Sequence, residues 1–251
     1  GLDTISTGSV VAFAMEAYEK GLLKGIAEYP ILWGDGNVLL KLIHEIGMKK
    51  GIGELLGQGV KKMAEILGRD AQKFAIHVKG LEFPAHDPRA CASSYLGFAT
   101  SNRGACHLQA FSHAYELGNT EPPLGIEGEI DRYSDEGKAE LVIKSQNLMS
   151  MYDSIKICKF LIFSGIHVDQ VISWFNLATG RHIELDDFME TGNMLFNLKR
   201  TYNQMCGISE KDEIIPPRIL SDGLSKKAVN FNKMLQEYYY LRGYDKEGKL
   251  K

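Results

Sequence analysis

This sequence predicts an all-α, multihelical fold in two helical lobes, on three observations. Apolar residues recur at three- and four-residue spacing through most of its 251 residues. Clean period-2 alternation is nearly absent. A polar, Pro/Gly-rich stretch, "GNTEPPLGIEGEIDRYSDEG", interrupts the helical pattern near the middle. The predicted lobes are residues 1–118 and 138–251, joined by a connecting loop at 119–137.

Each element follows from its local pattern. "VVAFAMEAYEKGLL" has a broad apolar face after Thr7, a good N-cap, and stops at Gly21. "GNVLLKLIHEIGMKKG" repeats the pattern, with Val38, Leu39, Leu42, Ile43 and Ile46 on one side. "GIGELLGQGVKKMAEILG" is a third unit, shortened by its glycines. From Ala71 to Ala90 the chain reads as strand or loop, with turns at Pro84 and Pro88. "SSYLGFATSNRGACHLQAFSHAYE" is punctuated by glycine and then helical. Beyond the connecting loop, Lys138–Phe163, Val168–Ala178 and Leu185–Tyr202 read as helices. "EIIPPRIL" reads as a loop, and "AVNFNKMLQEYYYLRGYD" as a closing amphipathic helix.

Composition narrows the function classes. The chain is 44% hydrophobic and 24% charged, and its 29 basic and 32 acidic residues are well mixed, giving −3. Such a balance has no basic footprint for nucleic acid. No apolar run approaches the roughly 18 residues of a membrane span. A cytoplasmic location is the expectation. Cys91, Cys106, Cys158 and Cys206 are far apart, without a CxxC pair, so neither a disulfide framework nor a self-contained cluster site is expected. The opening "GLDTISTGSV" has no Met and is expected to be a cut inside a longer protein.

Five ordered blocks go further: "GLDTISTGSVVAFAMEAYEKGLL", "KGLEFPAHDPR", "ATSNRGACHL", "DSIKICKF" and "MLQEYYYLRGYDKEG". Their order resembles the C-terminal domains of the aldehyde ferredoxin oxidoreductase family of tungsten enzymes, from Gly1 to about Gly248. The resemblance implies a tungsten or molybdenum bis-pterin cofactor and a [4Fe–4S] cluster. It implies oxidation of aldehydes to carboxylic acids, with ferredoxin or another redox protein as electron acceptor. It also implies an N-terminal domain of the same protein as a partner, and admits a homodimer. One alternative substrate class is an aromatic acyl-CoA of the benzoyl-CoA type. A noncatalytic helical interaction module is the alternative of another class.

The resemblance also assigns residues. "GLD" and "DSIKIC" fall where the family grips two pterins with D-x-x-G-L-C/D motifs, which points to Leu2, Asp3, Asp153, Ile157, Cys158 and Lys159 as cofactor-binding. A carboxylate suits the neighbouring N–H donors of a pterin edge, because it accepts two at once. By themselves, Asp3 reads as a helix-entry acid and Asp153 as a partly exposed helical one. Cys158 would be one thiolate of the cluster, which is normally held by four. His107 falls at the family's catalytic histidine, a residue type suited to proton exchange near neutral pH. Arg103 and Asn102 share its loop and suit an anionic group, although by itself Arg103 reads as one half of an ordinary surface ion pair. His44 lies near a histidine that in some relatives contributes to a mononuclear iron between subunits.

Two features of "DSIKIC" depart from the family or strain the helix. Lys156 replaces the family's Gly and Ile157 its Leu, and a lysine adopts positive φ less cheaply than glycine, which leaves the local turn geometry open. Five residues at about 100° each also place Asp153 and Cys158 roughly 140° apart on an unbroken helix. A break at Ile155–Ile157 is therefore expected if both face one site, together with Asp3.

Overall fold

The computed structural model describes residues 1–221 and 229–250. Ala228, at the start of the expected closing helix, and Lys251 lie outside them. The described chain is helical apart from one two-stranded hairpin, and forms two compact units: Gly1–His86 with Ile214–Asp222, and Asp87–Glu213 with Gly223–Lys251. The division thus falls at His86/Asp87, and segment 119–137 lies inside the second unit. Among the described residues, no helix is long and apolar enough to cross a membrane.

In the first unit, α1 (Thr4–Glu19) begins three residues before the expected Thr7 cap. Asp3 is the N-cap instead, accepting 2.7 Å from the Ser6 N–H. An ionised acceptor facing the positive end of the helix outcompetes a hydroxyl one turn inside. Helix α1 buries Val10, Val11, Phe13, Ala14, Met15 and Ala17, and Phe13 stacks on Phe74 with ring centres 4.9 Å apart. Asp35 caps α2 (Gly36–Met48), accepting from the Asn37 and Val38 N–H groups. Helices α3 (Gly53–Leu56), α4 (Val60–Leu67) and α5 (Arg69–Gln72) follow as single or double turns. A Cβ on Gly53 would lie 2.1 Å from the Glu45 carbonyl carbon, so the α2–α3 corner admits only glycine.

The extended stretch contains the antiparallel hairpin β1 (His77–Val78) and β2 (Leu81–Glu82), with His77 opposite Glu82 and Val78 opposite Leu81. Glu82 is buried and accepts 2.7 Å from the Val60 N–H at the start of α4, and 2.8 Å from the Ser6 hydroxyl. It acts as a cap supplied from another element. The expected "EIIPPRIL" loop ends in a short helix, Pro217–Ser221, whose proline occupies the first turn, where its missing N–H costs nothing. Arg218 in this helix pairs with Glu16 of α1 at 2.7 Å.

The second unit is organised around α9 (Lys138–Ile155). The Gly-punctuated stretch before it gives α6 (Ser93–Thr100), buried along its whole length, then the single turns α7 (His107–Ala110) and α8 (His113–Glu116). After α9 come a 3₁₀ segment (Lys159–Ser164), α10 (Val168–Thr179) and α11 (Leu185–Met205). With α12 the Pro217–Ser221 helix of the first unit, α13 (Phe231–Leu241) closes the series. Helix α9 packs against α6, α7, α11 and α13. A Cβ on Gly192 of α11 would come within 2.2 Å of the Asn147 carbonyl oxygen, so the two longest helices touch backbone to backbone there.

Polar side chains thread this second core. Lys138 pairs with Glu116 at 2.7 Å and donates to the Asp131 carbonyl, while the Ser93 N–H and hydroxyl complete the Glu116 shell. Arg200 pairs with Glu213 at 2.6 Å and donates to the Gly248 carbonyl; the Tyr239 hydroxyl is the further donor to Glu213. Gln146 accepts from Tyr238 and Arg242, and donates to Thr100. Buried charges persist where hydrogen bonds replace lost water, and these do.

Candidate functional site

The helix carrying Asp153 ends two residues later. The periodicity predicted helix to Phe163, but α9 stops at Ile155 and Lys156 turns left-handed at φ 62°. The Ile157 N–H donates 3.0 Å to the Tyr152 carbonyl, closing the turn in the Schellman manner. So Lys156 takes the conformation that a glycine would take more cheaply. Cys158 is then extended and the 3₁₀ segment starts at Lys159. This break puts Asp153 and Cys158 on the wall of one pocket, which an unbroken helix would not allow.

That pocket, about 300 Å³, is also lined by Arg103, Cys106, Leu108, Gln109, Lys159 and Phe160. Three elements build it: the end of α9, the reversal after it, and the "NRGACHLQ" turn leading into α7. The Lys159 ammonium ties them together. It lies 2.9 and 3.0 Å from the two Asp153 carboxylate oxygens and donates 2.9 Å to the Leu108 carbonyl. Lys159 is largely shielded, with 13% of its side chain exposed against 46% for Asp153. The lysine thus engages both oxygens of an Asp153 carboxylate that stays partly exposed on the pocket wall.

Opposite, Gln109 is buried and its side-chain oxygen accepts from the Ser101 hydroxyl at 2.5 Å and from the Arg103 N–H at 3.2 Å. This fixes the backbone from which Arg103 projects. Its guanidinium approaches the Cys106 sulfur at 3.6 Å and has no carboxylate partner among the described residues. Asn102 is tied to α11 instead, donating to the Phe196 carbonyl and accepting from Asn203 at its own carbonyl. Phe160 belongs to an aromatic group with Phe111 and Phe163, with ring centres 5.5–5.9 Å apart.

Asp153, Cys158 and Lys159 are thus brought together. Ile157 points away and packs, partly buried, on the apolar core of the unit. His107 opens α7 next to Leu108 but does not line the pocket; its ring lies 6.2 Å from that of His113. Leu2, Asp3 and His44 belong to the first unit. There Asp3 caps α1, Leu2 is exposed, and His44 is exposed on α2. The described residues contain no group of three or more His, Cys, Asp or Glu placed to hold a metal. Cys158, exposed at the reversal, fits the donation of a single thiolate. Cys106, Leu108, Gln109 and Phe160 were missed as site residues by sequence reasoning. For Gln109 the sequence carried no signal, because only the fold shows that its amide is buried and must have partners.

The pattern of the family described as aldehyde ferredoxin oxidoreductase, domains 2 and 3, matches residues 1–251. The chain belongs to that family. The tungsten-containing aldehyde ferredoxin oxidoreductase of Thermococcus kodakarensis is 36% identical over 262 residues, covering 100% of this chain and 42% of the relative. The protein of the same description from Pyrococcus furiosus is 34% identical with the same coverage. The WOR-like subunit of an aliphatic sulfonate oxidoreductase from Pyrococcus furiosus is 30% identical, covering 99% and 39%. This member of the aldehyde ferredoxin oxidoreductase family therefore spans about two-fifths of the length of these relatives. Its fold is shared with the active-site complex BamBC of benzoyl coenzyme A reductase, solved with 1,5-dienoyl-CoA. That match has TM-score 0.76 and 18% identity, and covers 100% of this chain and 43% of that one.

Proposed function

We propose that this chain is the C-terminal, cofactor-facing part of a tungsten bis-pterin oxidoreductase that oxidises aldehydes to carboxylic acids, with ferredoxin as electron acceptor. The observation that carries the reading is the pocket in which Asp153, Cys158 and Lys159 meet beside Arg103. Identity of 34–36% along the whole chain to proteins named as tungsten-containing aldehyde ferredoxin oxidoreductases supports it.

The residues fit such a group. The Asp153 oxygens keep lone pairs beyond those facing Lys159, which can accept N–H donors from a pterin edge while the lysine holds the carboxylate in place. Cys158 offers one thiolate, with the others supplied from outside the described residues. When bound, the metal–pterin group and the cluster supply the redox chemistry, and the protein supplies binding, orientation and proton handling. In this reading a ring nitrogen of His107 holds or moves the proton exchanged with the aldehyde or its hydrate. Asp3 and Leu2 would serve a second pterin, and His44 an intersubunit iron.

The test is metal and pterin analysis of the intact native protein, followed by assay on an aldehyde and on an aromatic acyl-CoA thioester. Tungsten, pterin and aldehyde oxidation together are the expected result. Turnover of the thioester alone would transfer the pocket to that substrate class. Absence of tungsten, molybdenum and pterin would sink the enzyme reading and leave a helical interaction module.

A further inference from the structure

We infer that Lys159 is a positioning residue that locks the Asp153 carboxylate to the turn bearing His107, setting the spacing between the cofactor-binding end of α9 and α7. The inference rests on the pterin role proposed for Asp153.

The physical case starts from charge. Asp153 lies in the last turn of α9, where the unpaired carbonyls already concentrate partial negative charge. A carboxylate there is unfavourable unless a cation offsets it, and neither a residue of α9 nor the adjoining Lys156 is paired with it. The left-handed turn at Lys156 reverses the chain so that the side chain of Lys159, six residues on, returns to the carboxylate. Its third contact, to the Leu108 carbonyl, spans 51 residues of sequence and anchors the residue next to His107. One ammonium therefore satisfies two elements at once, with both carboxylate oxygens within 3.0 Å. The ammonium is shielded while the carboxylate is half exposed, so it is the third, part-buried bond to the Leu108 carbonyl that fixes where the lysine holds Asp153.

A residue that only filled space would act on stability alone. A positioning residue acts on what Asp153 holds and on the α7 turn, and acts through Asp153. The experiment uses the full-length protein with Lys159→Met, Asp153→Asn and the double variant, each confirmed folded by circular dichroism. Two quantities are read: tungsten and pterin retained per chain after gel filtration, and hydrogen exchange of the Phe111 amide, which donates to the His107 carbonyl. Lys159→Met should lower retention about 10-fold or more, the range for removing a partner that orients a ligand-holding group. The double variant should fall no lower than the worse single one, because both remove the same link. Exchange at Phe111 should quicken in Lys159→Met, and Lys159→Arg should restore part of both readouts. Full retention in Lys159→Met, or losses that add in the double variant, would overturn the inference. If the native protein carries neither metal nor pterin, the proposed function fails separately; unchanged exchange at Phe111 would then refute the brace itself.

Discussion

The two units hold themselves together by different means. The first is an apolar core of Val10, Phe13, Ala14, Leu42, Met63 and their neighbours, and among the described residues Glu82 is its one buried charge. The second buries Glu116, Lys138, Arg200 and Glu213, with Gln146 and Tyr238 bridging helices. Apolar packing is tolerant of which contacts form, provided volume is kept. A buried polar network accepts one arrangement, because each unmet donor or acceptor is costly. The unit that presents the Asp153 pocket is the one whose helices are registered by directional bonds.

This contrast can be broken most forcefully at Arg200. Arg200→Met leaves Glu213 buried without its cation and should cost about 3–5 kcal/mol in calorimetric or denaturant unfolding. In the first unit, Leu42→Ala should cost about 2–5 kcal/mol, yet Leu42→Met less than about 1.5. If Arg200→Lys is tolerated as well as Leu42→Met, the contrast between directional and volume-based packing is wrong.

A third test turns on pH. Burial, aided by nearby Lys61, pushes the His77 imidazole below its ordinary 6.5, and its Nδ1 is buried without a partner. The folded state thus resists the proton that the unfolded state takes up below 6.5. His77 contributes stability fully above that pH, and the contribution is lost as pH falls toward the depressed folded value. Urea unfolding between about pH 7.5 and pH 5 should show this fall, and His77→Gln should flatten it. An unchanged slope would place the acid sensitivity in the carboxylates.

The smallest effect is expected at Lys156. Lys156→Gly relieves a left-handed side chain and should stabilise by about 1 kcal/mol, less the entropy that glycine adds to the unfolded chain. A loss of stability would mean that the Lys156 side chain makes a compensating contact.

Much of this was legible in the sequence, and unevenly. Helices α2, α10 and α11 follow from one-sided apolar spacing, and α1 from a broad apolar face. The start of α1 did not, because Thr7 and Asp3 are both good caps and only the folded chain shows which N–H groups are orphaned. The continuation of α9 past Ile155 was over-read: "KFLIF" is as apolar as a helix interior, and nothing periodic marks a left-handed lysine. Asp153, Cys158 and Lys159 could be proposed as neighbours because they are close in sequence and resemble a family motif. Gln109 and Leu108 could not be joined to them, since the links are long-range: the Lys159 bond to the Leu108 carbonyl and the packing of Phe111 on Phe160 and Phe163.

The pair between Lys138 and Glu116 has a practical consequence for handling the protein. The two residues flank segment 119–137, whose stretch 127–129 is exposed, and they join its ends by a shielded bond. A protease that nicks the chain there should cut a covalent link without releasing a piece. The product should run as one species on a sizing column and as two bands after denaturation, with α6 still seated on α9.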